Sequence, residues 1–339
     1  MKTKTIKKKD IASFLDTLLT RYEVFAPVER DERVVFEAIG AGSEATLDYQ
    51  NTTMPPKGIL FPQTEQLFSY RSTKDTADIA VPSFKEKPQL IFGIRPCDAR
   101  SFLLFDHAFD GDPYYINRRG NTLLVSIGCT HPQAPCFCTS VGGGPFSEEG
   151  SDLLLIETGD QYLIQIVTDR GAQLLEESGF KDAGKDALTL AQKMIKTAEA
   201  SMGAGIEIDG LKEKLDSSFE NPIWQELTEK CLGCGVCTYL CPTCHCFDMV
   251  DEAEGSTGER IRIWDSCQFP LFTLQASGVN PRPTVKERFR QRIMHKFSYM
   301  IESYNQIGCV GCGRCITECP VNLDIRQVVH TISKLEALS

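Results

Sequence analysis

Two copies of one cysteine pattern lie in the last third of the chain and restrict what it can fold into. Each copy has the form C-x2-C-x2-C-x3-C-P, and the two occupy residues 231–242 and 309–320. The cysteines are Cys231, Cys234, Cys237 and Cys241 in the first copy and Cys309, Cys312, Cys315 and Cys319 in the second. This is the run whose thiolates hold cubane [4Fe–4S] clusters in bacterial ferredoxins. Each copy therefore predicts one cluster.

The spacing also predicts which cysteines share a cluster. Three cysteines two residues apart wrap a tight loop around one cube, whereas the fourth starts a helical turn and points away. In two-cluster ferredoxins the fourth cysteine ligates the other cluster. The predicted ligand sets are therefore Cys231, Cys234, Cys237 and Cys319 for the first cluster and Cys309, Cys312, Cys315 and Cys241 for the second.

Zinc and disulfides are the competing interpretations of these cysteines. A repeated C-x2-C pair is a common zinc pattern, but a closed zinc tetrahedron gives no reason for a third C-x2-C step and a following x3-C-P, twice. Disulfides would need an oxidising compartment, and no secretory signal is recognised in the sequence. The pattern favours cubane clusters over both.

Composition limits the remaining functions. The chain has 339 residues, enough for two domains, and 15 cysteines, far more than an intracellular chain carries unless they bind something. A net charge of −10 argues against nonspecific nucleic-acid binding. No stretch approaches the roughly 18 apolar residues that span a bilayer. We expect a protein without a membrane span, in a reducing, oxygen-poor cytoplasm.

Four further cysteines precede the ferredoxin-like motifs. Cys97 and Cys129 each follow a predicted strand, and Cys136 and Cys138 come shortly after Cys129. Loops at neighbouring strand ends can converge, and the glycine run 142–144 would let the backbone approach a bulky group. We hypothesise a third iron–sulfur cluster on these four thiols. Buried thiols without a ligand, or zinc, are the alternatives.

Three more cysteines lie between the two motifs, and their role stays open. Cys244 and Cys246 flank His245 directly after the first motif, and Cys267 follows Trp264 by three positions. These thiols could ligate a metal or act as redox-active groups beside Cys241. They could equally pack around the clusters and tune their potentials.

The pattern of apolar residues predicts an α+β architecture. Residues 1–220 read as a mixed α/β domain with buried strands at 89–94 and 121–128, ending in a helical connector. Residues 221–339 read as a ferredoxin-like dicluster domain that carries a long insert, 243–308. The insert is expected to contain a hairpin around 255–258 and a basic helix.

The basic helix, 285–304, has two interpretations that the sequence leaves open. Its cations are Lys286, Arg288, Arg290, Arg292 and Lys296. They could form a positive edge that stabilises anionic clusters or meets an acidic partner. They could also be a solvated helix face.

Several uncommon segments, read together, give a resemblance that covers nearly the whole chain. They are Asn51–Lys57 with Phe61–Glu65, Phe92–Asp98, Cys136-Phe137-Cys138, Cys241–Asp248, Trp264–Cys267, and Arg290-Gln291-Arg292 with Lys296-Phe297. This set resembles the family of iron–sulfur subunits that includes sulfhydrogenase beta and the iron–sulfur subunit of anaerobic sulfite reductase.

The resemblance implies a role as an electron relay. Such a subunit would pass electrons between an NAD(P)H-dependent flavoprotein partner, holding FAD or FMN, and a catalytic metalloenzyme of the hydrogenase, sulfite reductase or heterodisulfide reductase type. A different interpretation makes the chain itself a disulfide or sulfur reductase working through Cys244, Cys246 and Cys267. A third is a scaffold that metal holds together without redox function. The terminal acceptor, the direction of electron flow and the subunit stoichiometry do not follow from the sequence.

Overall fold

The computed structural model describes residues 2–84, 87–176, 178–203 and 205–335. Residues 1 and 339, the predicted outer limits of the two domains, lie outside the described residues. The strands are β1 (Thr3–Lys7), β2 (Glu23–Arg30), β3 (Arg33–Ala38), β4 (Thr64–Ser72), β5 (Ala77–Ala80), β6 (Gln89–Ile94), β7 (Thr122–Ile127), β8 (Leu153–Thr158), β9 (Gln161–Ile166), β10 (Lys181–Asp182), β11 (Phe247–Glu254) and β12 (Thr257–Trp264). The helices are α1 (Ile11–Leu19), α2 (Lys57–Leu60), α3 (Pro96–Ala108), α4 (Pro113–Gly120), α5 (Asp169–Leu175), α6 (Lys185–Ala200), α7 (Leu211–Ser217), α8 (Ile223–Thr228), α9 (Val236–Tyr239), α10 (Val285–Met294), α11 (Met300–Tyr304), α12 (Arg314–Thr317) and α13 (Ile325–Ser333). The predicted mixture of helices and strands is confirmed.

The larger sheet has the strand order β10-β1-β9-β8-β7-β6-β2-β3. Its centre is parallel, because β2 pairs parallel with β6, β6 with β7, and β7 with β8. Every residue of β6 and β7 is buried, as expected for strands covered on both faces. The carboxyl ends of parallel strands meet at one edge of a sheet. The chain therefore leaves β6 toward Cys97 and β7 toward Cys129 at the same edge.

Alternating side chains divide the core between the two faces of this sheet. Leu90 and Phe92 of β6 face the layer that contains α1, which buries Leu15 there. Ile91 and Ile94 face the opposite layer, where Phe102 of α3 packs. The sheet is thus the middle layer of three, and it fixes the loops that carry the first cysteines.

The smaller sheet joins strands from distant parts of the sequence. Its order is β11-β12-β4-β5, all antiparallel, so the hairpin predicted around 255–258 pairs with β4. At its end Trp264 donates a hydrogen bond from Nε1 to the Phe61 carbonyl, at 3.0 Å, and stacks on the Phe61 ring. The 243–308 insert is thereby attached to segments from the first quarter of the chain.

Helices α7, α8, α10 and α13 form a separate apolar cluster against the two cysteine motifs. Trp224 of α8, Ile293 of α10 and Val329 of α13 are fully buried in it, and Phe137 enters it from the earlier cysteine loop. The predicted basic helix 285–304 is continuous but contains a π-helical turn, His295–Tyr299, between α10 and α11. Among the described residues no helix is both long and apolar enough to cross a membrane.

Candidate metal centres

The two cysteine motifs adopt the same local conformation. Each has glycines directly before and after its second cysteine, and each glycine has a positive φ: +63° and +77° at Gly233 and Gly235, +66° and +76° at Gly311 and Gly313. Only glycine adopts this backbone without strain. In each motif a one-turn helix, α9 or α12, then carries the third cysteine and leads to the fourth. All fifteen cysteines of the chain are free thiols.

The fourth cysteine of each motif lies near cysteines of the opposite motif. Cys241 lines one small cavity together with the three cysteines of the second loop, Cys309, Cys312 and Cys315. Cys319 in turn is close enough to Cys231 to influence its charge, as are the other two cysteines of the first loop. Helices α9 and α12, each of which leads to a fourth cysteine, also contact each other.

The four earlier cysteines also come together. Cys97, Cys129, Cys136 and Cys138 line a single cavity, which Cys312 of the second loop also lines. Burial raises the pKa of Cys138 to about 12, so an isolated thiolate is disfavoured there. No three Cys, His, Asp or Glu side chains in the described parts of the chain converge closely enough to hold a single metal ion. The four thiols are instead spread around the cavity wall.

Direct contacts connect this third thiol set to the second loop. The Phe137 amide donates to the Gly311 carbonyl at 2.9 Å, and the Cys136 thiol donates to the Cys312 carbonyl at 3.8 Å. Gly311 allows this approach, since a Cβ there would lie 2.5 Å from the Phe137 carbonyl carbon. The loop carrying Cys136 and Cys138 therefore packs backbone to backbone against the second motif.

A buried ion pair fixes the same junction. Arg314 stands between the second and third cysteines of the second loop, and its guanidinium contacts Asp98, the residue after Cys97, at 2.6 and 2.7 Å. It also donates from Nε to the Thr52 carbonyl at 2.7 Å. Both side chains are almost fully buried. Arg314 and Asp98 therefore lock the third thiol set in position beside the second motif.

The basic helix directs three cations inward. Arg288, Arg292 and Lys296, spaced four residues apart, share one helix face, and all three are buried. The Lys296 ammonium donates to Cys241 Sγ at 3.2 Å and to the Gly308 carbonyl at 2.9 Å. The interpretation of a solvated face is therefore wrong for these three residues. It fits Lys286, which is half exposed.

The electrostatics of these cations suit an anionic neighbour. Burial lowers the pKa of Lys296, but the Cys241 and Cys244 thiols outweigh it and the net shift is upward. The Arg292 guanidinium donates from Nη2 to the Cys237 carbonyl at 2.9 Å. Its Nε and Nη1 are buried and find no hydrogen-bond partner among the described residues. Donors of this kind fit a cluster, whose sulfides would accept their hydrogen bonds.

The three cysteines of the insert interact with different partners: Cys244 with Cys241, and Cys246 with Cys267. The Cys244 thiol donates to the Cys241 sulfur, which lowers the pKa of Cys241. Cys246 and Cys267 contact each other in the same way, and donation from Cys246 lowers the pKa of Cys267. Lys57, a buried lysine that sequence reasoning did not single out, donates to the Cys244 carbonyl at 2.9 Å and lies 4.2 Å from the Trp264 ring centre. The sequence pointed to Lys57 through its place at the end of Asn51–Lys57, one of the segments that carry the family resemblance.

Comparison with known proteins decides the family. The model of a 4Fe-4S dicluster domain matches residues 230–323. The sulfhydrogenase 2 subunit beta of Pyrococcus furiosus is 31% identical over 325 residues, which cover 94% of this chain and 95% of that protein. The chain belongs to the sulfhydrogenase beta family. The F420-dependent formate dehydrogenase subunit beta of Methanocaldococcus jannaschii is 21% identical over 177 residues, covering 49% of this chain and 37% of that protein. No solved structure matches.

Membership of the sulfhydrogenase beta family confirms the expected resemblance. The dicluster match also confirms the predicted fold class, α+β with a C-terminal dicluster domain, and implies two [4Fe–4S] clusters. The matched range contains both cysteine motifs and the whole insert between them.

Proposed function

We propose that this chain is the electron-relay subunit of a multi-subunit cytoplasmic oxidoreductase. It would pass electrons between an NAD(P)H-dependent flavoprotein subunit, holding FAD or FMN, and a catalytic metalloenzyme subunit. Two relatives named as subunits of a sulfhydrogenase and a formate dehydrogenase support this role. Iron–sulfur clusters supply one-electron transfer, whereas hydride chemistry would belong to the partner's flavin.

We assign the ligands as the spacing predicted. The first cluster would take Cys231, Cys234, Cys237 and Cys319, and the second would take Cys309, Cys312, Cys315 and Cys241. The third thiol set, Cys97, Cys129, Cys136 and Cys138, would hold a further iron–sulfur cluster. What supports the second and third sets is the convergence of their members around two cavities that share Cys312, and what supports the first is the proximity of Cys231 to its other three members.

The observation that carries the relay is that the second thiol set adjoins both of the others. The first loop shares the α9–α12 contact with the second, and the second loop shares the Phe137–Gly311 hydrogen bond with the third. The middle set is the one whose loop is buried, whereas Cys234 in the first loop is exposed. This arrangement suits an electron path with one end at the first loop and the other at the β6–β7 sheet edge.

The protein's own residues would set how easily each centre is reduced. Arg292 and Lys296 place two buried positive charges between the first and second sets. A nearby cation favours the more negative, reduced state. Arg314, neutralised by Asp98, fixes the spacing between the second and third sets without adding net charge.

Cys234→Ser and Cys312→Ser test the ligand assignment and the relay together. Each variant is purified anaerobically with its partner subunits, and iron content, EPR spectra of the reduced protein, and electron flux from NAD(P)H are measured. We expect each variant to impair one cube, with a loss of up to about four irons per chain, and to lower the flux. Undiminished flux in a variant that has lost a cluster would contradict the relay.

Counting iron in the parent protein tests the third cluster. Two cubes account for about eight irons per chain, so a third iron–sulfur cluster raises the count above eight. Cys129→Ser should remove the excess and leave the EPR signals of the dicluster domain in place. A count that saturates at about eight in fully loaded protein would refute the third cluster.

Mass spectrometry of the natively purified assembly tests the partners. We expect a flavoprotein and a catalytic metalloenzyme subunit to co-purify with the chain. A lone chain that reduces a sulfur substrate by itself would overturn the proposal and favour the alternative built on Cys244, Cys246 and Cys267.

A further inference from the structure

The open end of the β11–β12 hairpin places two cysteines next to each other. Phe247 and Trp264 are the last cross-strand pair, and the Asp265 amide still donates to the Cys246 carbonyl at 3.0 Å. The chain then turns so that Cys267, two residues on, returns to Cys246. Their thiols are in hydrogen-bonding contact.

The hairpin end is attached to the first cysteine motif. The Ser266 and Thr238 hydroxyls are hydrogen-bonded at 2.7 Å, and both residues are buried. Each is the direct neighbour of a cysteine, Ser266 of Cys267 and Thr238 of Cys237. Cys237 and Cys267 are accordingly close enough to affect each other's charge. The thiol pair thus lies directly against a predicted ligand of the first cluster.

Two polar groups support sulfur chemistry at this pair. Gln268 donates from Nε2 to Cys267 Sγ at 3.6 Å, and Cys267 is 9% exposed. The Lys57 ammonium is close enough to Cys246 for each to affect the other's charge, and it points its donors at backbone carbonyls.

We propose that Cys246 and Cys267 form a reversible dithiol–disulfide couple that exchanges two electrons with the first cluster. This rests on the relay proposed above, which supplies and removes the electrons. In the reducing direction the S–S bond breaks as the pair takes up two electrons, delivered one at a time, and two protons from solvent, giving two thiols. In the other direction the dithiol gives up two electrons and two protons and the S–S bond forms.

Direct contact between the thiols favours this couple over another metal centre. A disulfide needs the two sulfurs to approach to about 2 Å, which two touching thiols reach by small movements. A cubane cluster instead keeps its ligand sulfurs apart, because the iron–sulfur core lies between them. A couple that stores two electrons would also match one-electron carriers to a partner that transfers hydride.

Differential alkylation of the cluster-loaded complex tests the couple. One anaerobic sample is reduced with dithionite and one is oxidised with a mild dye. Both are quenched, alkylated with N-ethylmaleimide, digested without reductant and analysed by mass spectrometry. We expect the ratio of the linked Cys246–Cys267 peptide to the doubly alkylated pair to differ more than about tenfold between the samples. Cys244→Ser should keep this difference, and Cys267→Ser should abolish the linked peptide while leaving the iron content unchanged.

EPR spectra of the same samples separate this proposal from the relay. If the clusters are reduced by dithionite while both cysteines stay alkylatable in every sample, the couple is overturned and the relay stands. If Cys267→Ser loses iron although the signals of the first and second clusters persist, the thiols hold a metal centre and the couple is overturned. If the linked peptide changes while the clusters are never reduced, both the electron exchange and the relay are overturned.

Discussion

The two cysteine loops have the same sequence pattern and backbone conformation but opposite environments. Leu232 in the first loop is 67% exposed, and Val310 at the equivalent position in the second is 3% exposed. Position 236 of the first loop carries a valine, and the matching position 314 carries a buried arginine paired with Asp98. The first loop lies at the surface, whereas the second is covered by the segment around Phe137.

This comparison shows that local sequence sets the backbone form of a cysteine loop while its packing sets its environment. An exposed loop offers a short path to a partner protein. A buried loop suits transfer within the chain, and its surroundings fix its charge balance. Substitutions at matched positions of the two loops, or of a buried and an exposed cation, test this difference directly.

Replacing the equivalent glycine of each loop with alanine should give the largest loss of stability and the greatest difference between the two loops. In Gly311→Ala the new Cβ would lie 2.5 Å from backbone atoms of Phe137 and Cys138. In Gly233→Ala the nearest atom is 3.5 Å away, on the Val285 side chain, which is an ordinary van der Waals contact. Both substitutions carry the same positive-φ strain of about 1–2 kcal/mol. We expect Gly311→Ala to cost more than about 4 kcal/mol and to lose iron.

Denaturant unfolding and iron analysis of both alanine variants, prepared anaerobically, would check this asymmetry. Equal losses at the two positions would mean that the close packing of Phe137 on the second loop is not what distinguishes the loops.

Breaking the buried ion pair should destabilise the junction next most strongly. Arg314→Met leaves the Asp98 carboxylate buried without its partner, which typically costs about 3–5 kcal/mol. The double variant Arg314→Met/Asp98→Asn removes both charges and should recover a large part of that loss. Denaturation midpoints of the two single variants and the double variant give the coupling energy. A double variant no more stable than Arg314→Met would contradict the account.

Replacing the apolar residue that follows the first cysteine of each loop should destabilise the two loops unequally, by less than the preceding substitutions. Val310→Ser puts a hydroxyl into the core and removes apolar burial, at a cost of about 2–3 kcal/mol. Leu232→Ser changes an exposed side chain and should stay within about 0.5 kcal/mol. Thermal unfolding of the two variants under argon provides the measurement. Similar melting temperatures would show that both loops are exposed in solution.

Removing a buried cation should have the smallest energetic effect of the four. Lys296→Met deletes the ammonium that contacts Cys241, and we expect the midpoint potential of the second cluster to fall by on the order of 60 mV, about 1.4 kcal/mol. Lys286→Met, on the same helix but half exposed, is the matched control and should leave the potential nearly unchanged. EPR-monitored redox titration would detect the difference, and equal shifts for both variants would refute a specific contact.

Local pattern predicted a large part of the fold. The strands at β6 and β7 and the hairpin of the insert follow from apolar periodicity and turn residues over short windows. The π-helical turn at His295–Tyr299 has no such signature, because it depends on how α10 and α11 pack against their neighbours.

The cation face of the basic helix marks where sequence reasoning reached its limit. Arg288, Arg292 and Lys296 have the spacing of a single helix face, so their alignment could be predicted. Whether that face meets solvent or the cysteine motifs depends on which side of the helix packs inward. Only the position of α10 against Cys237 and Cys241 decided it.

The sequence by itself determined the two cysteine loops, because each depends on spacing within about a dozen residues, and the ferredoxin pattern predicted the exchange of fourth cysteines between them. Tertiary structure decided that the second loop is the buried one, that Cys97 and Cys138 lie against it, and that Cys246 meets Cys267. Those relations join residues far apart in the chain through the sheet edge and the hairpin. Such contacts arise from packing between elements, which no local pattern records.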